Sequence, residues 1–153
     1  MSAFLKGTDM NIATNQLNDL QILTDLLGRY AWGYDANDPA LLGSALSKDA
    51  VSGGVITGSS QSWGPWTGRE AIASNLSALR SGQTDQRRHT LSTPLIVSLT
   101  ETQATLKVYL TLYVIQSPAR PQIMATGTYH VEFSKHDGIW LIDRLDAQLD
   151  SEF

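Results

Sequence analysis

The sequence predicts an α+β domain on three observations. Apolar residues recur at three- and four-residue steps from Asn15 to Asp35, the spacing of an amphipathic helix. From about residue 87 onward the period changes to alternation, the pattern of half-buried strands. Turn chemistry separates the alternating runs, above all Asp137-Gly138, a central pair suited to a two-residue hairpin. Helices early and long strands late point to helices covering one face of a curved antiparallel sheet.

The elements follow in order. Residues 1–14 are polar and aperiodic and read as a flexible leader. A single domain is expected over residues 15–153. The first helix carries Leu17, Leu20, Leu23, Leu27, Tyr30, Ala31 and Tyr34 on its apolar side. It should end near Asp35, because Asp38 is a natural N-cap and Pro39 a natural first residue of a second, short helix over about 39–47. Two short strands are expected in Val51–Ser60 and Gln61–Trp66, joined by a glycine-rich loop. Thr67-Gly-Arg-Glu70 has the form of a capping box and opens a third helix over about 69–81. Four long strands are expected at about 87–99, 103–116, 121–134 and 138–149.

Composition narrows the function classes. The chain has 153 residues, 42% apolar and 17% charged, which is ordinary for a globular domain. A net charge of −4 leaves no broad basic field, so no nucleic-acid partner is expected. Cysteine is absent, which excludes disulfides, thiol nucleophiles and cysteine metal sites. No apolar run is long enough to cross a bilayer, and no secretory signal is evident, so no membrane partner and a cytoplasmic location are expected. There is no phosphate-binding glycine loop and no G-x-S-x-G elbow. The three histidines, His89, His130 and His136, match no common metal spacing.

Some residues nonetheless stand out. Asp35 ends an apolar helix, where an acid opposes the helix dipole. It reads either as a solvated C-terminal acid or as a perturbed functional carboxylate. His89 opens a long strand and, by alternation, shares a face with Leu91, Thr93 and Leu95. It reads either as a satisfied half-buried histidine or as a base. His136 lies in a turn, and His130 on a strand that faces either side. Arg87-Arg88 reads as a solvated strand end or as a holder of an anionic group. Among the aromatics, Tyr34, Trp63, Trp66, Tyr109 and Tyr129 are candidates to wall an apolar pocket, with hydroxyls as its few polar points. Strands 103–116 and 121–134 are apolar on both faces in places, which predicts a homodimer or homotrimer.

The order of elements and several local strings resemble the SnoaL-like branch of the nuclear transport factor 2-like superfamily. The strings are Leu26-Leu-Gly-Arg-Tyr-Ala-Trp-Gly-Tyr-Asp35, Leu46-Ser-Lys-Asp-Ala50, Trp66-Thr-Gly-Arg-Glu-Ala-Ile72, Arg88-His-Thr-Leu-Ser-Thr93, Ala125-Thr-Gly-Thr-Tyr129 and Asp137-Gly-Ile-Trp140. The resemblance implies a cone-shaped barrel, a strongly bent sheet wrapped around three helices with an internal apolar cavity. It implies a catalytic pair, Asp35 and His89, with Tyr30 as an assisting hydroxyl. A lysine and an arginine used by the dehydrochlorinase members find no counterpart here. The implied activity is a cofactor-independent lyase that removes water from a hydrophobic cyclic small molecule. Isomerisation or aldol cyclisation of a steroid- or polyketide-like substrate is the second expectation, and a non-catalytic binding or dimerisation module the third.

Overall fold

A computed structural model describes residues 14–152; the expected leader lies outside them, apart from Thr14, which is helical. Helix α1 (Thr14–Asp35) buries Leu23, Leu26, Leu27, Tyr30 and Ala31, the stripe that three- and four-residue spacing demands. Asp38 caps helix α2 (Pro39–Gly43), its carboxylate accepting from the Leu41 N–H at 2.9 Å. This helix is shorter than expected. The chain has already become strand β1 (Leu46–Ile56), because Leu46 pairs with Ile142 and Ala45 O accepts from the Ile142 N–H.

Strand β2 (Ser62–Thr67) precedes helix α3 (Arg69–Ser81). The expected capping box does not form. Thr67 is committed to the ladder opposite Val51, so Gly68 becomes the N-cap and no side chain caps the helix. Strands β3 (Gln86–Leu99), β4 (Gln103–Ile115), β5 (Gln122–His136) and β6 (Ile139–Leu149) match the four alternating runs closely. Asp137 and Gly138 both have positive φ, 51° and 79°, as a type I′ hairpin requires.

The six strands form one sheet in the order β2-β1-β6-β5-β4-β3. All neighbours are antiparallel except β1 and β6, which run parallel, so the sheet is mixed. It is strongly bent but not closed: β2 and β3 remain its edges. The concave face carries Leu106, Val108, Leu110 and Leu112 of β4 and Tyr129, Val131 and Phe133 of β5, all buried. Those residues and the apolar faces of the helices make one core.

Register slips in the sheet shift which residues face inward. In β3 the pairing slips between Ser92 and Leu95, with Thr93 at φ 51°. The single extra residue reverses the alternation, so Leu95 does not share the face of His89 and is 61% exposed. Between β5 and β6 the register slips at Glu132/Phe133, leaving Asp143 as the extra residue of β6. No helix of the described residues is long and apolar enough to cross a membrane.

Candidate active site

Asp35 is the last residue of α1, and His89 lies near the start of β3. Packing α1 against β3 brings them together. Asp35 Oδ1 lies 2.6 Å from His89 Nδ1, and Asp35 Oδ2 accepts from the His89 backbone N–H at 2.8 Å. Both carboxylate oxygens therefore hold the same residue, which fixes position and ring orientation together. An ionised carboxylate can only accept, so Nδ1 carries the proton and Nε2 is the basic nitrogen. Nε2 has no hydrogen-bond partner among the described residues. The pair is nearly enclosed, the side chains 12% and 9% exposed. The Tyr34 ring meets the imidazole edge-on, with centroids 5.1 Å apart.

Arg80 ties the two elements from outside. Its guanidinium donates to the carbonyl of Asp35, which ends α1, and to the carbonyls of Gln83 and Asp85, which lead into β3. A cation on the last carbonyls of a helix also suits the helix dipole.

The imidazole borders a cavity of about 290 Å³. Its apolar wall comes from Ile56, Leu76, Leu110, Leu112 and Leu149, with Tyr30, Tyr34, Tyr129 and Trp63 around them. Gln61, Ser62, Gln83 and Arg87 supply a polar side. Trp63 is seated over Gly54, where a Cβ would meet its ring at about 2.0 Å, so only glycine permits that position. The dyad also borders an open groove of about 740 Å³ between α1 and β3, lined by Trp32, Arg88 and Leu91 among others. His89 thus stands between an inner chamber and an outer groove, with Asp35 on the groove side.

The three tyrosine hydroxyls differ in engagement. Ser52 Oγ donates to the Leu145 carbonyl at 3.1 Å, which leaves it to accept from the Tyr30 hydroxyl, also at 3.1 Å. Burial pushes the Tyr30 phenol up to about 12, with the Ser52 hydrogen bond only partly offsetting it. Tyr34 meets the Gln83 amide at 3.0 Å, and burial raises it too. Tyr129 packs edge-to-face on Tyr30 at 6.1 Å. Its hydroxyl has no hydrogen-bond partner among the described residues, and burial raises it well above the ordinary tyrosine value.

Several sequence expectations need correction. Tyr109 does not reach the cavity: alternation along β4 turns Val108 and Leu110 inward and leaves Tyr109 58% exposed on the convex face. Trp66 is not a lining residue either. The pairing of β1 with β2 slips between Ser52 and Gly54, so Trp66, opposite Ser52, and Trp63, opposite Gly54, share one side of the strand; Trp66 nevertheless packs against the core without bordering the cavity. His130 faces outward beside Lys107 and Asp146. His136 is half-exposed and bound to Asp143 and Ser134. Arg87 is not a solvated strand end. It is 9% exposed, paired with Asp85 at 2.9 Å, and borders the cavity. The signal was present, because Arg87 is two residues from His89 and so lies on the same face of β3.

A SnoaL-like domain model matches residues 15–146. Among curated protein sequences none matches. Solved structures share the fold. A Nostoc punctiforme protein of unknown function, described as having a cystatin-like fold, is 19% identical, covers 87% of this chain and 92% of its own, and superposes with a TM-score of 0.74. A provisionally assigned scytalone dehydratase of Novosphingobium aromaticivorans is 21% identical, with 87% and 85% covered and a TM-score of 0.68. A Catenulispora acidiphila protein solved in complex with S-DNPA is 16% identical, with 88% and 95% covered and a TM-score of 0.72. At these identities the likeness is one of fold. With the family model spanning nearly the whole domain, the chain belongs to the SnoaL-like family.

Proposed function

We propose that this protein is a cofactor-independent dehydratase acting on a small hydrophobic ring compound. The observation that carries the reading is the Asp35–His89 pair, 2.6 Å apart, beside an apolar chamber. His89 Nε2 removes a proton from a carbon next to an activating group. Asp35 holds the imidazole in the Nδ1–H tautomer and stabilises the imidazolium that forms. General-base catalysis of this kind contributes about 10²–10⁴-fold. The carbanionic or enolic electron pair then expels hydroxide, which leaves as water once protonated.

The group that assists departure must have a proton to give. Tyr30 already donates to Ser52. Tyr129, with an unengaged hydroxyl on the same wall, is the better placed donor. A chamber of about 290 Å³ lies at the lower end of small-molecule sites, roughly 300–1,000 Å³, and suits one or two rings rather than a steroid. The reading also draws support from structural neighbours, one provisionally assigned as a dehydratase and one solved with a bound small molecule.

The test is a screen of hydroxylated one- and two-ring ketones and acids, with product mass as the readout. Loss of one water, abolished in His89→Ala, is the expected result. An unchanged product mass with altered chromatography would make the reaction an isomerisation or cyclisation. Turnover that survives both His89→Ala and Asp35→Asn would end the reading.

A further inference from the structure

We infer that Arg87 is an anion-recognition site and that the ligand of the chamber carries a carboxylate. The inference deepens the reading above, on which it rests for the chamber being the substrate site.

Arg87 is the one charged residue among those that the described fold buries. Burying a guanidinium is unfavourable unless it is paired. Its partner, Asp85, occupies one edge of it: Nε donates to Oδ1 at 2.9 Å and Nη2 to Oδ2 at 3.2 Å. A guanidinium presents five N–H donors in a fixed fork. The end formed by Nη1 and the remaining Nη2 proton has no partner among the described residues. No fully buried side-chain nitrogen lacks a hydrogen bond among these residues, so Nη1 retains accessible surface. The residue borders the chamber. That open fork matches a carboxylate in bidentate geometry.

The charge balance favours an anion as well. Asp85 is shared by two guanidiniums, Arg87 at 2.9 Å and Arg80 at 3.9 Å. Arg87 therefore has only a share of Asp85 to balance it, while Asp35, the other carboxylate nearby, is taken up by the ring and the backbone N–H of His89. Beside an apolar wall little water competes and electrostatic attraction is stronger than in bulk solvent.

The arrangement also sets a length. Arg87 and His89 are two residues apart on one face of β3, a spacing of about 7 Å along an extended strand. A carboxylate held by Arg87 therefore places carbon about one ring away under the imidazole. An anchored acid at one end and an ionisable C–H at the other define a ring-bearing carboxylic acid. This is a stricter requirement than a merely hydrophobic guest.

The probe pair is 2-naphthoate and 2-naphthamide, similar in shape and different in charge. Their affinities are measured by calorimetry at low salt for the wild type, Arg87→Gln, Arg87→Lys and His89→Ala. The wild type is expected to bind the carboxylate at least about tenfold more tightly than the amide. Arg87→Gln should bind the two equally. Arg87→Lys, which keeps the charge but loses the fork, should fall between. His89→Ala should keep the preference, so that a failed dehydratase assignment and a failed anion site give different results. Should Arg87→Gln not fold, the wild-type preference and the lysine variant still decide. Equal affinities in the wild type, no measurable binding of naphthoate, or a preference that vanishes in His89→Ala while surviving in Arg87→Gln overturns the inference.

Discussion

Among the described residues, two aspartate–histidine pairs have nearly equal length and quite different surroundings. Asp35 and His89 are 2.6 Å apart, joined across 54 residues of sequence. Asp143 and His136 are 2.7 Å apart, seven residues from each other across the β5–β6 hairpin. In the first pair the contact uses Nδ1, leaves Nε2 unpartnered, and is nearly shut off from solvent. In the second it uses Nε2, which Ser134 also approaches at 3.0 Å, and the side chains are 47% and 34% exposed. Short contact distance is therefore common to both, and chemistry is not. An exposed ion pair is screened by water and adds little. The enclosed pair leaves Nε2 unpartnered on a residue that borders both the chamber and the groove. What separates them is burial and the choice of ring nitrogen.

The largest effect expected is on turnover. Removing the imidazole in His89→Ala should lower kcat by about 10²–10⁴-fold, whereas His136→Ala should leave it within about twofold, by steady-state kinetics on a dehydration substrate. Equal losses in the two variants would erase the contrast. Asp35→Asn should cost nearly as much as His89→Ala, because an amide no longer selects the Nδ1–H tautomer.

The tyrosines sharpen the same contrast inside the chamber. Tyr129→Phe should reduce kcat by about 10²-fold as a lost transition-state donor. Tyr30→Phe should cost less activity and instead lower stability by about 1 kcal/mol, through its hydrogen bond to Ser52. The reverse order would show that Tyr30 redirects its proton to the ligand. With the Tyr30 phenol raised to about 12, its ionisation should produce no alkaline fall in activity below about pH 11.

The smallest effect belongs to the exposed pair. Burial alone would raise the Asp143 carboxyl, but hydrogen bonds from Ser134, His136 and Ser47 outweigh it and hold the group below its ordinary value. Such a group stabilises the fold above its unfolded value and loses that contribution as pH falls through the folded one. Asp143→Asn should therefore melt slightly below the wild type at neutral pH, with the gap closing below about pH 4. A gap that persists in acid would assign the difference to the β6 bulge rather than to charge.

Much of the fold was legible in one dimension. The three-and-four spacing up to Asp35 marked α1, the alternating runs marked the four long strands, and Asp137-Gly138 marked their last turn. Of the candidate site, Asp35, His89, Tyr30, Tyr34, Trp63 and Tyr129 all border one or both hollows. Tyr109 does not, because pattern says which residues share a side and not which side is covered, and Trp66 does not, because sharing a side with Trp63 does not bring it to the cavity.

By itself the sequence determined periodicity, turns and the chemical types available, since these depend on neighbours a few positions away. Tertiary structure alone decided that Arg87 is buried beside His89, that the β3 slip at Thr93 turns Leu95 outward, and that Tyr30 rather than Tyr129 spends its proton on Ser52. The physical reason is that burial, register and hydrogen-bond partnership belong to pairs of distant segments. They come into being only when the sheet bends around its helices and each side chain meets whatever the rest of the chain has placed opposite it.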